Sequence, residues 1–261
     1  MDLLLLKLTL TPALIAGASL AGRRWGHAVS GWVVGLPLTS APVAFFLALE
    51  RGHTFAASAA LGALAGAVAE AAFCVAYAWT ARAAGWGPSL AVASVAFALA
   101  GAVLQVAPLA LASVAVAVPA SLLIALRLVG GDAVAAIPTV RPAWDLPVRM
   151  LAATGLVLAI TESAAVLGPR LSGILATFPV YAAILTIFAH RADRRAAPQV
   201  LRGLLLGLFA FGAFFVVLAL TIERFGVAGA FALAGAAALL IQGGSYLAMR
   251  VEWPHLRAPD P

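Results

Sequence analysis

Charged residues are scarce in this sequence. Only 10% of its 261 residues are Asp, Glu, Lys or Arg, whereas 64% are hydrophobic. A water-soluble domain of this length needs many more charges to cover its surface, so the composition argues against a soluble protein. The net charge of +6 does not indicate a nucleic-acid-binding surface, because the basic residues lie between apolar runs, where they set the orientation of membrane helices.

Cysteine and metal-ligand patterns are also missing. The single cysteine, Cys74, lies inside an apolar run, so the chain has no disulfide framework. The four histidines stand at loop edges without the spacing of a metal site, and no nucleotide-binding motif occurs. We therefore expect no metal, no cofactor and no enzymatic activity.

Long apolar runs are what the sequence does contain. Backbone groups inside lipid must be bonded within their own segment, so such runs are predicted to be helices. The uncharged stretch 83–126 would be about 65 Å long as one helix, twice the bilayer core, and a turn near Gln105–Pro108 is expected instead. The prediction is an all-α, polytopic membrane bundle of about nine transmembrane helices: 3–22, 28–49, 55–79, 88–105, 108–127, 147–168, 172–189, 200–221 and 226–249.

The basic residues support nine crossings. Of the sixteen, all but four then fall on one side, the exceptions being Lys7, Arg51, Arg170 and Arg224. The excess of positive charge marks the cytoplasmic side, so the N-terminus is predicted outside and the C-terminus in the cytoplasm of a bacterial inner membrane. Lys7 and Arg149 are expected to extend to opposite interfaces. The lipid bilayer is the expected partner, and the oligomeric state is open.

An internal repeat relates the two halves of the chain. An offset of 142 residues places Lys7 on Arg149, the pair Ser30-Gly31 on Ser172-Gly173, and Pro37 on Pro179. An offset of 141 then places Gly62 and Gly66 on Gly203 and Gly207. One extra helix between two four-helix units inverts the second, which is the 4+1+4 arrangement of many secondary transporters. The predicted units are repeat 1 (1–106), a linker helix (107–128), a cytoplasmic connector (129–146) and the inverted repeat 2 (147–261).

The repeated segment also carries a resemblance. The run that begins Ser172-Gly-Ile-Leu-Ala-Thr-Phe-Pro, with its partner that begins at Ser30, resembles the second helix of the GlpM-like family of small four-helix bacterial membrane proteins. The resemblance implies two such units fused through a linker helix. In architecture the chain is also similar to the small multidrug resistance and drug/metabolite transporter group, whose first-helix glutamate could correspond to Glu162. The first repeat has Leu20 at that position, which weakens any symmetric dual-carboxylate mechanism.

Two carboxylates lie inside predicted spans. Glu70 continues a four-residue stripe of Gly62, Gly66 and Cys74, and Glu162 lies in the sixth span. An acidic side chain at membrane depth costs a few kcal/mol unless it is protonated or partnered, and small residues at this period mark closely packed helix faces. Both side chains are therefore expected to point into the bundle. They would either couple transport to protons or bond a neighbouring helix as neutral acids.

Two proline-interrupted helices are the second candidate feature. One contains Pro37, Thr39, Ser40 and Pro42, and the other contains Pro179 and Tyr181. A proline removes a backbone donor and frees a carbonyl one turn earlier, so each helix offers polar groups at membrane depth. Interrupted helices at matching positions of two halves indicate a transporter's central site, although an ordinary kink is the alternative.

The preferred function is a secondary transporter, with or without proton coupling, for a small polar or cationic solute, with its site between spans 2, 3, 6 and 7. A non-transporting accessory subunit of an envelope or polysaccharide system is the alternative. A membrane-embedded lipid enzyme is less favoured, because such enzymes cluster acid, base or metal groups near one interface.

Overall fold

The structure, a computed structural model, describes residues 3–22, 36–130 and 145–252. Every regular element within these ranges is an α-helix. The eight helices are α1 (Leu3–Gly22), α2 (Ser40–Arg51), α3 (His53–Thr80), α4 (Trp86–Val106), α5 (Leu111–Val129), α6 (Asp145–Ala176), α7 (Val180–Ala192) and α8 (Ala196–Glu252).

Two of these helices contain a sharp break at a glycine. Gly168 divides α6 and Gly226 divides α8, each with a positive φ that side-chain-bearing residues rarely adopt. The predicted ends of spans 6 and 8 fall close to these two points. Span 7, however, is not one helix: residues 169–176 continue α6 after its break, and a second interruption before Val180 separates them from α7.

The predicted turn between spans 4 and 5 is confirmed. Helix α4 ends at Val106 and α5 begins at Leu111, so the uncharged stretch forms two helices. The first part of predicted span 2 and most of the predicted connector 129–146 lie outside the described residues.

Helix α3 is the centre of the bundle, and α4 and α5 lie at its edge. Helix α3 packs against α2, α4, α5, α6 and α8, and it is lined mostly by alanine, whose small side chain lets helices approach closely. On α4 and α5, large apolar side chains such as Leu99, Val103 and Val116 are more than half exposed. Within the described ranges, five helical stretches are long and apolar enough to cross a membrane. An apolar surface around a small-residue core is consistent with an integral membrane protein.

Candidate functional site

A small cavity lies where two proline-containing segments meet: the non-helical residues 36–39 before α2, and the interruption before α7. Its volume is about 30 Å³, which holds about one water molecule or small ion. The wall is formed by the start of α2, the middle of α3, the interruption before α7 and the middle of α8. The lining residues are Leu36, Thr39, Ser40, Glu70, Thr177, Phe178, Pro179, Val180, Tyr181, Ala182, Leu208 and Phe211.

Most of the predicted site residues come together at this cavity. Glu70, Thr39, Ser40, Pro179 and Tyr181 line it. The other two prolines of the prediction, Pro37 and Pro42, are buried at the start of α2 beside it. Helix α6 before its break contributes no lining residue, and α8 takes the place that was predicted for span 6.

Glu70 is the only charged residue among the described residues of the cavity wall. Its side chain is 5% exposed, so it points into the bundle as predicted. Within the described residues, no hydrogen bond or ion pair to its carboxyl is present. A buried carboxylate without a protein partner is costly, so Glu70 must be protonated or must bind a water molecule or a cation in the cavity.

The lining residues are related by the offset found in the sequence. Three pairs of lining residues are 142 positions apart: Leu36 and Phe178, Thr39 and Tyr181, and Ser40 and Ala182. A fourth pair, Glu70 and Phe211, is 141 positions apart. Eight of the twelve lining residues therefore form four pairs at these offsets. Only one described member of these pairs, Glu70, carries a carboxyl group.

Two hydroxyl groups at the cavity, those of Ser40 and Thr177, donate their hydrogen bonds to backbone carbonyls. At the interruption, the N–H of Val180 donates to the carbonyl of Phe178. In a continuous helix this N–H would donate to the carbonyl of Ala176, which is therefore left without its helical donor. The hydroxyl of Ser40 donates to this carbonyl at 2.8 Å, and the hydroxyl of Thr177 donates to the Ile174 carbonyl at 2.7 Å. A hydroxyl has one proton and two lone pairs, so both oxygens can only accept from a group in the cavity.

Close glycine contacts hold α3 against the segment 169–177. A Cβ atom at Gly66 would collide with the Thr177 side chain, and one at Gly62 would collide with the Arg170 backbone. From the other side, a Cβ at Gly173 would collide with the Ala59 backbone. The predicted small-residue stripe on α3 is therefore a helix-packing face, and it fixes the distance between Glu70 and the interruption.

Glu162 is placed differently from the prediction. Its side chain is 72% exposed rather than pointing into the bundle, and it is remote from the cavity lining. The prediction was wrong because Glu162 has a partner at the bundle surface: its carboxylate lies 3.1 Å from the Lys7 ammonium. Lys7 also pairs with Glu50 at 2.7 Å.

Lys7 is consequently buried, with 2% of its side chain exposed, and does not extend to an interface. It lies on α1, between Glu50 at the end of α2 and Glu162 on α6, and 5.8 Å from the ring centre of Phe46. The sequence offered little signal for this cluster, since each partner is distant along the chain and Glu50 stands at a predicted helix end.

A contact between His190 and Tyr77 was also not predicted from the sequence. His190, expected at a loop edge, is buried in the last turn of α7, and its Nδ1 lies 3.3 Å from the Tyr77 hydroxyl. The side chain of Tyr77 stands two turns along α3 from Glu70, about 10 Å away by helical rise. Cys74 lies between them on the same face and is buried.

Comparisons with protein-family models, curated proteins and solved structures find no match. The site must therefore be interpreted from its own chemistry. Another cavity, of about 230 Å³, lies between α3, α5 and α8, and its described wall is apolar: Leu64, Ala115, Val118, Pro119, Phe209, Gly212, Ala213 and Val216. These side chains offer no polar group to a polar solute.

Proposed function

We propose that this chain is a secondary transporter of the bacterial inner membrane that moves a small polar or cationic solute in exchange for, or together with, protons. The observation that carries the proposal is the meeting of two interrupted segments around the unpartnered Glu70. Interrupted helices provide backbone polar groups at the membrane midplane, and a carboxyl among them can alternate between a proton and a cation.

The chain length of the broken helices supports the proposed nine crossings. The stretches Leu146–Ala192 and Ala196–Gly244 contain 47 and 49 residues, or about 70 Å each as continuous helix, which is twice the bilayer core. Each would cross twice, turning near Gly168 and Gly226. Added to five crossings from the segments before residue 131, this gives nine and places the termini on opposite sides.

The four equivalent pairs in the cavity wall support an inverted repeat of the form 4+1+4, as fused GlpM-like units would form. In such a repeat, two similar halves of opposite orientation can exchange conformations and open one site to either side. The cavity lies where the halves meet, which is where alternating access requires the site to be.

A line of protonatable groups supports proton coupling. Glu70, Cys74 and Tyr77 follow one another at four- and three-residue spacing, so they share one face of α3. Tyr77 continues the line to His190, which stands beside the arginine-rich turn that is expected in the cytoplasm. Protons could reach Glu70 from that side through these groups and intervening water.

The proposal is tested by proton flux into proteoliposomes. With an imposed pH gradient and an internal pH-sensitive dye, addition of a transported small cation or polar solute should release protons through the wild-type protein. Glu70→Gln should reduce this flux to the level of empty liposomes, because glutamine cannot exchange a proton. Glu223→Gln, at an exposed glutamate on α8, is the matched control and should retain the flux. Normal flux through Glu70→Gln would refute proton coupling at this site.

A non-transporting accessory subunit is the second candidate. The cavity has room for little more than a water molecule in this conformation, and a closed bundle is what such a subunit requires. Absence of flux for every solute, with a folded protein in the liposomes, would favour this alternative.

A further inference from the structure

We infer that the cavity at Glu70 is a binding site for one small monovalent cation, Na⁺, that competes with a proton. The inference rests on the proposed function, because it assigns this cavity to the coupling ion and not to the transported solute. Three properties of the wall carry it: its charge, the direction of its hydrogen bonds, and its size.

The charge of the wall favours a cation. Among the lining residues that the structure describes, Glu70 is the only acidic one, and none is a lysine, arginine or histidine. The starts of α2 and α7 at the cavity are positive helix ends, but the end of the segment 169–176 and the Glu70 carboxylate are negative. Within the described part of the wall the carboxylate carries the only full charge, so one monovalent cation would neutralise it.

The hydrogen bonds leave two hydroxyl oxygens of the wall as acceptors. Ser40 and Thr177 donate their hydroxyl protons to the carbonyls of Ala176 and Ile174, so these two oxygens offer only lone pairs to a ligand. An anion would meet these lone pairs and the Glu70 carboxylate, which is unfavourable. Carboxylate, hydroxyl and freed carbonyl oxygens are what hard cations bind, and unwound carbonyls coordinate Na⁺ in other transporters with interrupted helices.

The size of the cavity limits the ligand to a single ion. A volume of about 30 Å³ suits a dehydrated Na⁺ or one water molecule. A proton satisfies the same site, because protonated Glu70 could donate to either acceptor hydroxyl. Na⁺ and the proton should therefore exclude each other. The other titratable groups nearby in the described chain are Cys74, one turn along α3, and Tyr181 on α7.

The test is direct binding of isotopically labelled Na⁺ to the purified full-length protein in detergent, with choline as the background cation. Saturable binding is expected. Once the pH is low enough to protonate Glu70, the apparent Kd for Na⁺ should rise about tenfold for each further unit by which the pH falls. Glu70→Gln should abolish it. Thr177→Val, which keeps the shape but removes the oxygen, should weaken it about tenfold, and Thr177→Ser should restore it.

Thr186→Val is the matched control. Thr186 is fully buried and donates to a helix carbonyl at 2.7 Å just as Thr177 does, but it does not line the cavity. Its variant should bind Na⁺ as the wild type does. Absence of Na⁺ binding to the wild type, or binding that survives Glu70→Gln, overturns the inference. Proton flux without Na⁺ binding would leave the transporter proposal standing, whereas Na⁺ binding without any flux would support the site and remove the transporter.

Discussion

Glu70 and Glu162 are both acidic residues in apolar helices, but their surroundings differ. Glu162 shares Lys7 with Glu50, so its charge is compensated inside the molecule. Glu70 faces a cavity and has no partner within the described residues. A charge that the protein pairs with itself can stabilise the fold, whereas an unpaired buried carboxyl is available to a ligand. The difference separates a structural acid from a candidate functional acid.

The two regions also differ in what holds them together. The Lys7 cluster joins α1, α2 and α6 through charges on long side chains. The cavity is framed by α3 and the segment 169–177, which are held together through glycines with almost no intervening side chain. The first region should therefore be sensitive to loss of charge, and the second to added volume.

The largest effect on stability is expected for Lys7→Met. The substitution keeps the length of the side chain but leaves two carboxylates near each other without their cation. Removing one member of a buried ion cluster costs about 3 kcal/mol, so the free energy of unfolding should fall by that amount in an SDS titration. Lys7→Arg keeps the charge and should retain most of the stability. If Lys7→Met were as stable as the wild type, the cluster would not be structural.

The sequence predicted that the two proline-containing segments would meet Glu70, but it predicted neither the contribution of α8 to the cavity nor the Lys7 cluster. Pro37 and Pro179 mark their interruptions locally, and the repeat offset places them opposite each other, so the meeting at Glu70 follows from short-range signals. The Lys7 cluster depends on contacts across 43 and 155 residues that no periodicity reports. For the same reason Glu162 was assigned to the bundle interior. The small residues that precede Glu162 suggested a face packed inside the bundle. Which face of α6 points inward is instead set by its packing with α1 and α3.

An intermediate effect is expected for Gly173→Ala. The added Cβ meets the Ala59 backbone, which cannot rotate away as a side chain can, so α3 and the segment 169–176 must separate. Such overpacking costs about 2 kcal/mol of unfolding free energy. Gly155→Ala is the control, because nothing lies near its added Cβ, and it should be neutral or raise stability by up to about 1 kcal/mol through helix propensity. Equal stability of the two variants would contradict the close approach of the two segments.

The smallest effect is expected for Glu162→Gln, and it tests the distinction between the two acids most directly. Lys7 keeps its shorter contact to Glu50 in this variant, and Glu162 is largely exposed, so the loss should not exceed about 1 kcal/mol of unfolding free energy. Glu50→Gln removes the closer partner and should cost more. The reverse order, measured in the same SDS titration, would mean that Glu162 is the principal partner of Lys7. The sixth predicted span would then hold a buried charge after all, and the contrast with Glu70 would lose its basis.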